Sequence, residues 1–245
     1  MFDIRIDRKD FTSADGTRRP VLRDIAFSIA RGEVIALLGA SGTGKSTTLR
    51  ILLGLDAAFE GQIRDGGARA GVMFQEPRLL PWLTVAENLR LVVTDGMPQP
   101  DIGALLEMVR LPNAGGLYPR QLSLGMARRA ALARALAVSP EVLVLDEPFA
   151  SLDTQLAGAL ADVVERWTRD TGGAVLLATH DLAQALQLAS RLLVLAGVPA
   201  VLAADVSVQA GSDAAERATL QAELVSQFSF FRAGADRLPD APSLD

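Results

Sequence analysis

The sequence predicts an α/β fold with a mostly parallel sheet, and two observations lead to this prediction. First, the short apolar runs at residues 34–38 and 142–145 have the length and continuity of strands that are buried on both faces. Second, segments with helical spacing of apolar residues alternate with strand-like segments through the later part of the chain, as in doubly wound folds. At 245 residues the chain is long enough for one large domain with a substantial core.

The N-terminal segment is predicted to form a small antiparallel sheet. Residues 1–10 alternate apolar and charged side chains, a turn is indicated at residues 15–16, and strand-like alternation resumes at 21–29. Residues 1–10 have neither the apolar core nor the cleavage site of a signal peptide, so we interpret them as a first strand. The strand at 34–38 is followed by a glycine-rich loop and by a predicted helix at 45–53.

The later elements follow from apolar spacing and from turn residues. Helical spacing at 83–93 and 102–109 surrounds a loop that carries Pro and Gly, and we interpret residues 76–138, approximately, as a helical subdomain inserted in the sheet core. We expect a single domain over residues 1–232 and a polar, frayed tail over 233–245. The remaining predicted elements are a helix at 125–137, a strand at 142–145, a helix at 154–168, a strand at 174–178, a helix at 182–188, a strand at 191–195 and a helix at 213–228.

Composition restricts the classes of function. The 24 Lys and Arg residues against 29 Asp and Glu give a net charge of −5 without any basic cluster, which disfavours a nucleic-acid partner. The sequence has no cysteine, so disulfides and thiol chemistry are excluded and a cytosolic location fits. Charges or turn residues interrupt each apolar run before it reaches the roughly 20 residues that span a bilayer. Any membrane role therefore requires a partner protein.

The segment 39–46, GASGTGKS, matches the phosphate-loop pattern G-x-x-x-x-G-K-[ST] between a predicted strand and a predicted helix. Glycines allow successive N–H groups to point at phosphate oxygens, and the helix N-terminus adds its positive dipole end. Lys45 is predicted to reach the β- and γ-phosphates of a nucleotide and Ser46 to ligate Mg²⁺. An ordinary glycine turn is the alternative, and the flanking strand and helix make it the weaker one. The predicted phosphate-binding residues are Gly39, Ser41, Gly42, Thr43, Gly44, Lys45, Ser46 and Thr47.

Two adjacent carboxylates, Asp146 and Glu147, follow the apolar run at 142–145. They lie at the carboxyl end of a predicted strand, which is where open α/β sheets bind ligands. Asp146 is predicted to contribute to the Mg²⁺ shell and Glu147 to polarise the attacking water. Taken alone, such a pair is common at a solvated strand end. The phosphate loop in the same chain favours the functional interpretation.

The segment Leu122–Met126, LSLGM, precedes that strand and resembles the LSGGQ signature of ABC ATPases. The resemblance covers nearly the whole chain. Phe11, 28 residues before Gly39, stands where the family stacks an aromatic ring on adenine, and His180, which follows a predicted strand, is similar to the switch histidine. Gln75 resembles the Q-loop glutamine, and residues 151–153 with Asp153 resemble the D-loop. The resemblance implies a P-loop NTPase core, with ATP and Mg²⁺ as cofactors and a helical subdomain that carries the signature.

The resemblance also implies that two copies face head to tail, with each ATP held between the phosphate loop of one and the segment Ser123–Gly125 of the other. In this arrangement Gln75 joins Asp146 and Ser46 at Mg²⁺, and His180 contacts the γ-phosphate. Leu124 and Met126 depart from the family pattern, which has glycine and glutamine at these positions. Because glycine tolerates a positive φ and leucine does not, Leu124 must have a negative φ, and weaker binding across the dimer is the expected effect.

Residues 74–85, FQEPRLLPWLTV, resemble importer ATPases for nitrate, sulfonates and taurine. This resemblance implies an integral-membrane permease as partner, docking at the cytoplasmic face of the inner membrane, and an extracytoplasmic substrate-binding protein. A loop that anchors Leu80 and Trp82 in the core is the alternative for this segment. For the whole chain, a lipid-trafficking or export ATPase and a nucleotide-gated regulatory module with weak hydrolysis stay open. The DNA-repair branch is disfavoured because no long coiled coil separates the phosphate loop from the signature.

Overall fold

The structure is a computed structural model, and it describes residues 2–13, 15–94, 96–150, 152, 154–209 and 213–232. The chain divides into two compact units. The first unit comprises residues 1–29, 33–66 and 178–245, and the second comprises residues 30–32 and 67–177.

Strands and helices alternate along most of the chain after an N-terminal pair of strands. The strands are β1 (Phe2–Thr12), β2 (Arg18–Ile29), β3 (Val34–Leu38), β4 (Glu60–Arg64), β5 (Ala70–Met73), β6 (Val142–Asp146), β7 (Ala174–Thr179), β8 (Arg191–Ala196) and β9 (Val201–Ser207). The helices are α1 (Lys45–Leu52), α2 (Val85–Arg90), α3 (Ile102–Met108), α4 (Leu124–Leu136), α5 (Thr154–Thr171), α6 (Leu182–Leu188) and α7 (Ala214–Gln227).

The first unit contains the predicted N-terminal antiparallel sheet, with strand order β2-β1-β4. Phe2, Ile4 and Ile6 alternate with exposed residues along β1 and are buried on one face of this sheet. The period of two matches the pleat of a strand with one buried face. The prediction of a small antiparallel sheet is therefore confirmed, with β4 as an additional strand.

The same unit contains β3, β8 and β9. Strands β3 and β8 are parallel, with Ile35 opposite Arg191 and Leu38 opposite Val194, whereas β9 pairs with β8 in the antiparallel direction. The interior residues of β3 and β8 are almost completely buried, as the continuous apolar runs predict.

The second unit contains the parallel pair β5 and β6, in which Met73 lies opposite Leu145. Helix α4 packs against β5, α2 and α3 in this unit. Parallel pairs in both units, together with the antiparallel N-terminal sheet, confirm the α/β class and the mostly parallel sheet.

Several element bounds differ from the predictions for local physical reasons. Helix α2 begins at Val85 rather than at residue 83, because Thr84 caps it and forms a reciprocal capping box with Glu87. The predicted helix at 154–168 continues to Thr171. The predicted tail at 233–245 lies outside the described residues, and the bounds of a helical subdomain at 76–138 stay a prediction. Within the described part of the chain, no helix combines the length and the apolar character needed to cross a bilayer.

Candidate functional site

The phosphate loop connects β3 to α1 in the first unit. Gly42 and Gly44 have φ angles of 81° and 98°, in the left-handed region that favours glycine. A Cβ atom at Gly44 would also lie 2.6 Å from Cδ2 of Leu22, and one at Gly39 would lie 2.9 Å from the carbonyl oxygen of Leu195. Backbone conformation and close packing therefore both require glycine in this loop.

Lys45 folds back over the loop. Its Nζ donates hydrogen bonds to the carbonyl oxygens of Gly39, at 2.8 Å, and Ala40, at 3.2 Å, and the side chain is buried. Thr43 closes the loop by donating from both its N–H, at 3.2 Å, and its Oγ1, at 2.8 Å, to the carbonyl oxygen of Ala40. The loop thus holds a cationic group at its centre, which suits the binding of phosphate oxygens.

The remaining phosphate-loop candidates lie at the tip of the loop and in the first turn of α1. Ser41 and Ser46 are exposed and Thr47 is half-buried. Thr48 anchors the turn by donating its Oγ1 to the carbonyl oxygen of Gly44 at 3.0 Å. No acidic side chain lies in the first turn of α1. The positive end of the helix dipole is therefore not offset by a carboxylate from that turn, which favours an anion there.

Phe11 lies near the end of β1 and is 46% exposed. Across the β1–β2 pair Phe11 is opposite Arg19. Strand β2 continues to Leu22, whose side chain packs against Gly44 of the phosphate loop. The strand pair that carries the predicted adenine-stacking residue therefore packs against the predicted phosphate loop within the first unit.

His180 immediately follows β7 and is exposed. The turn around it is fixed by two hydrogen bonds of Asp181. The Asp181 N–H donates to Oγ1 of Thr179 at 3.1 Å, and the Asp181 carboxylate accepts from the N–H of Gln184 at 3.0 Å, which caps α6. His180 is thus presented by a rigid connection at the carboxyl end of a strand, as the sequence predicts.

The candidate carboxylates lie in the second unit. Asp146 is the last residue of β6, and both it and Glu147 are half-buried, in contrast to the buried residues before them. Glu147 has a φ of 46°, in the left-handed region. That conformation costs a residue other than glycine about 1–2 kcal/mol, and such residues cluster at functional sites. The D-loop candidate Asp153 and its neighbour Ser151 lie outside the described residues.

The signature segment forms the N-terminus of α4. Ser123 caps the helix, and its Oγ accepts a hydrogen bond from the N–H of Met126 at 3.2 Å. Leu124 is the first residue of the helix and has the right-handed conformation that leucine prefers, with its side chain 52% exposed. A Cβ atom at Gly125 would lie 2.9 Å from Cδ1 of Leu156. The backbone therefore accommodates the departure at Leu124, and a side chain at position 125 would require the Leu156 side chain to move.

Two arginines of α4 hold loops that carry candidate site residues, and the sequence analysis did not predict this function. Arg128 is buried and donates its Nη1 to the carbonyl oxygens of Pro148, at 3.4 Å, and Ala150. These carbonyls belong to the chain that directly follows Glu147. Burial lowers the pKa of the Arg128 guanidinium, but arginine stays charged at neutral pH. The available signal was the position of an arginine among the apolar residues of α4.

Arg134 acts similarly on the loop after β5. Its Nη2 donates to the carbonyl oxygen of Pro77 at 2.9 Å and its Nη1 to that of Arg78 at 2.6 Å. Gln75 precedes this anchor and is exposed. Helix α4 therefore connects the signature, the loop after Glu147 and the loop after Gln75 within the second unit.

The buried side chain of Asn88 organises residues 80–84. Its Oδ1 accepts from the N–H of Leu80 at 2.7 Å, and its Nδ2 donates to the carbonyl oxygens of Leu80, Leu83 and Thr84 at 3.0–3.2 Å. Trp82 is 69% exposed in this loop. The alternative in which Trp82 anchors the loop in the core is therefore wrong, whereas Leu80 is half-buried.

The first unit thus brings together the phosphate loop and the strand that carries Phe11, and the second unit brings together the signature helix, the carboxylate strand and the Gln75 loop. A phosphate loop between a buried strand and a helix, in a chain that carries two adjacent carboxylates at the end of another buried strand, defines a phosphate-loop nucleotide-binding protein.

Comparisons with known proteins agree with this class. The family model described as "ABC transporter" matches residues 22–150. The chain is 40% identical over 252 residues, covering 96% of this chain and 89% of the relative, to the aliphatic sulfonates import ATP-binding protein SsuB 2 of Burkholderia lata. It is 45% identical over 211 residues, covering 79% of this chain and 83% of the relative, to the aliphatic sulfonates import ATP-binding protein SsuB 1 of Pseudomonas aeruginosa. The chain therefore belongs to the ABC transporter family, as one of its ATP-binding subunits.

Solved structures of dimeric ABC cassettes have the same fold. A dimeric structure of MJ0796, a bacterial ABC transporter cassette, matches with a TM-score of 0.76 at 25% identity, covering 86% of this chain and all of that chain. A dimeric post-hydrolysis state of the same cassette bound to ADP and Pi matches with a TM-score of 0.74, also at 25% identity and with the same coverage. These matches, together with the family, make the chain an ABC ATPase.

Proposed function

We propose that this ATPase works as a homodimer beneath a membrane permease and that it powers the import of aliphatic sulfonates. The observation that carries the nucleotide part of the proposal is the phosphate loop, in which left-handed glycines surround the buried Lys45 at the start of α1. The substrate class rests on the two relatives described above, which are named for aliphatic sulfonate import.

The phosphates and the base of ATP are bound by the first unit in this proposal. The loop amides and Lys45 bind the phosphate oxygens, because N–H groups and an ammonium are donors only and suit an anion. Phe11 stacks on adenine, since its ring is exposed on the strand pair that packs against the loop.

Mg²⁺ is held by Ser46, Gln75 and Asp146. A hydroxyl, an amide oxygen and a carboxylate are hard oxygen donors, and Mg²⁺ prefers such donors while it keeps some of its waters. When bound, the ion neutralises charge on the β- and γ-phosphates. The donor set fits Mg²⁺ in kind, and none of the three residues is fully buried.

Glu147 is the general base, and its carboxylate polarises the attacking water. The left-handed backbone at this residue, directly after β6, supports the assignment, because strained residues of this kind cluster at functional sites. His180 orients the same water and contacts the γ-phosphate. The anchored turn around His180 supports this role.

A second copy of the chain completes each site. Ser123 and Gly125 contribute the N-terminus of α4 to the nucleotide bound by the partner, and Asp153 of the D-loop contributes to the same closed dimer. A 13-residue helix with a capped N-terminus is a suitable anion-binding group. Because phosphoryl transfer depends on positioning and charge stabilisation, donors from a second copy couple closure of the dimer to hydrolysis.

The permease docks on the side of the second unit that carries residues 74–85 and the exposed Trp82. An exposed tryptophan on a loop held by a fully buried asparagine is typical of a preorganised contact residue. The chain is therefore proposed to lie at the cytoplasmic face of the inner membrane through its permease, with an extracytoplasmic substrate-binding protein that captures the sulfonate.

Phosphate release from Mg-ATP, measured over a range of protein concentrations, tests the dimeric ATPase. Specific activity should rise with concentration, fall on removal of Mg²⁺ with EDTA, and disappear in a Glu147→Gln variant that still binds ATP. Activity that is independent of concentration would contradict the shared site. Activity retained by Glu147→Gln would contradict the assignment of the base.

Growth of a strain that lacks this gene tests the substrate class. The strain should fail to use an alkanesulfonate as its only sulfur source and still grow on sulfate, and the wild-type gene but not the Glu147→Gln gene should restore growth. Normal growth of the deletion strain on alkanesulfonates would refute sulfonate import.

The exposed Leu124 in the signature favours one alternative, a nucleotide-gated module that closes on ATP and hydrolyses it poorly. Folded wild-type protein that binds ATP but releases no phosphate, even with its permease, would support this alternative. A Leu124→Gly variant that then gains hydrolysis would assign the effect to the signature.

A further inference from the structure

The N-terminal sheet contains a buried lysine, Lys9, that the functional assignment does not use. Lys9 is only 2% exposed, and lysine is almost never fully buried unless it is paired. Its Nζ lies 2.7 Å from Oδ1 of Asp56 and 2.8 Å from the carbonyl oxygen of Ala58. These contacts use two of the three N–H donors of the ammonium group and fix its position.

The fixed ammonium lies over the ring of Phe11. Lys9 Nζ is 4.7 Å from the centroid of that ring, which is within the range of a cation–π interaction. Phe11 is nevertheless 46% exposed. Phe11 is therefore held by a cation from inside the protein while nearly half of its surface remains available to a ligand.

The strand register places this arrangement beside the phosphate loop. Lys9 is opposite Leu22 in the β1–β2 pair. The Leu22 side chain occupies the space above Gly44, where a Cβ atom would lie 2.6 Å from its Cδ2. The lysine, the ring that it holds and the phosphate loop therefore form one continuous packed set within the first unit.

We propose that Lys9 is a positioning residue of the nucleotide site, which holds the Phe11 ring in the orientation that receives a purine base on its exposed surface. This inference rests on the proposed stacking of adenine on Phe11. Two physical effects contribute. The ring is ordered before the nucleotide binds, which reduces the ordering cost of binding. The cation also draws π-electron density toward the inner face, which reduces the repulsion between the outer face and the π-cloud of the base.

The role of Lys9 concerns the base and not the phosphates. Its ammonium is engaged by Asp56 and Ala58 in the interior of the first unit, whereas Lys45 supplies the cation of the phosphate loop. Replacing Lys9 should therefore lower the affinity for ligands that contain a base and leave the affinity for a ligand without a base unchanged.

Calorimetric binding of ATP and of inorganic tripolyphosphate to the full chain tests the proposal. Lys9→Met keeps the unbranched, apolar part of the side chain and removes the ammonium group with its charge. It should weaken ATP binding by about threefold or more, with about thirtyfold, the full free energy of a desolvated cation–π contact, as the upper limit. The affinity for tripolyphosphate should change less than about twofold. Arg8→Met is the matched control, because Arg8 lies next to Lys9 in β1 and pairs instead with Asp10 at 2.6 Å. Arg8→Met should change the ratio of the two affinities less than about twofold.

A double-mutant cycle separates positioning from general stability. In a Phe11→Ala background, Lys9→Met should change ATP affinity less than about twofold, because the ring that Lys9 holds is absent. Lys9→Met combined with Asp56→Asn replaces the ion pair by a neutral pair. This double variant takes the place of Lys9→Met in the binding measurements if the single variant does not fold. An equal loss for ATP and tripolyphosphate, or the same loss of ATP affinity without Phe11, would overturn the proposal.

The same titrations distinguish a failure of the proposed nucleotide site. Wild-type protein that binds neither ligand would refute the phosphate loop as the site. Wild-type protein that binds ATP no more tightly than tripolyphosphate would refute adenine stacking and, with it, the role of Lys9. A wild type that prefers ATP, with a Lys9→Met variant that does not lose this preference, would overturn the role of Lys9 alone.

Discussion

The strained backbone at Glu147 leads to a stability prediction that is independent of catalysis. Its φ of 46° lies in the left-handed region, where a residue with a Cβ is disfavoured by about 1–2 kcal/mol and glycine is not. Glycine also gains about 0.4–1 kcal/mol of conformational freedom in the unfolded chain, which opposes the effect. We therefore expect Glu147→Gly to be more stable than Glu147→Ala by about 1 kcal/mol, or about 2–4 °C in Tm for a chain of this size.

The comparison of these two variants isolates the effect of the left-handed backbone conformation on stability. Both substitutions remove the carboxylate and all of its contacts, and both should abolish ATP hydrolysis, so only the Cβ atom differs between them. Glu165 provides a matched control, because it is an exposed acidic residue in the interior of α5. In a helix glycine is less favourable than alanine by about 1 kcal/mol, so Glu165→Gly should be less stable than Glu165→Ala.

Thermal unfolding of the four variants, followed by circular dichroism without nucleotide, measures both differences. The Tm of the glycine variant should be higher than that of the alanine variant at position 147 and lower at position 165. A Glu147→Ala variant that is as stable as Glu147→Gly, with the expected difference at position 165, would refute the strain at Glu147.

Three further predictions follow from contacts of the described residues. Gly44→Ala should abolish ATP binding and lower stability by about 1–3 kcal/mol, because the new Cβ combines a φ of 98° with an overlap with Leu22; calorimetry and thermal melts measure both effects. Arg134→Met should destabilise the protein by about 1–3 kcal/mol and reduce hydrolysis, since two carbonyl oxygens of the Gln75 loop lose their donor; unchanged melting and activity would contradict this anchor. Burial raises the pKa of Asp56, but hydrogen bonds from Lys9 and from a backbone N–H outweigh it and hold that pKa below its usual value. Asp56 should therefore stabilise the protein fully above about pH 4, which is its pKa in the unfolded chain. This contribution is lost as the pH falls through the lower pKa of the folded state. Denaturant titrations should show that the free energy of unfolding of Asp56→Asn falls less at acid pH than that of the wild type.

Strands and helices were predictable where a single local signal determines them. The apolar run at 34–38 is β3 with the same bounds, and α6 at 182–188 also has the predicted bounds because Asp181 caps it. The strands β4, β5 and β9 were not predicted, and β4 and β9 show why. Strand β4 has only one apolar residue in the sequence EGQIR, and β9 is exposed at alternate positions. These strands depend on backbone pairing with β1 and β8, which the local sequence does not encode.

The same distinction applies to the candidate site, in which the motifs were predicted and the residues that hold them in place were not. The phosphate loop, the carboxylates after β6 and the capped signature occupy the predicted ends of strands and helices, because a motif specifies its own local backbone. The residues that hold these segments were missed. Arg128 binds backbone carbonyls that are 20 and 22 positions away in the sequence, and Arg134 binds carbonyls that are 56 and 57 positions away. A carbonyl acceptor is present at each residue, so the sequence contains no feature that identifies the partner.

The departure at Leu124 shows how a motif can change without a change of backbone. Glycine at this position suggests a need for close approach or for a positive φ, but position 124 begins a helix in which leucine has its preferred conformation. What the leucine alters is therefore the surface next to Ser123, where an exposed isobutyl group replaces a hydrogen atom. That group leaves the cap and the amides of α4 in place and reduces the space in front of them. Any effect of Leu124 must consequently arise when a second surface approaches the helix N-terminus, and the isolated subunit should fold and bind phosphate with its own loop as if the signature were intact.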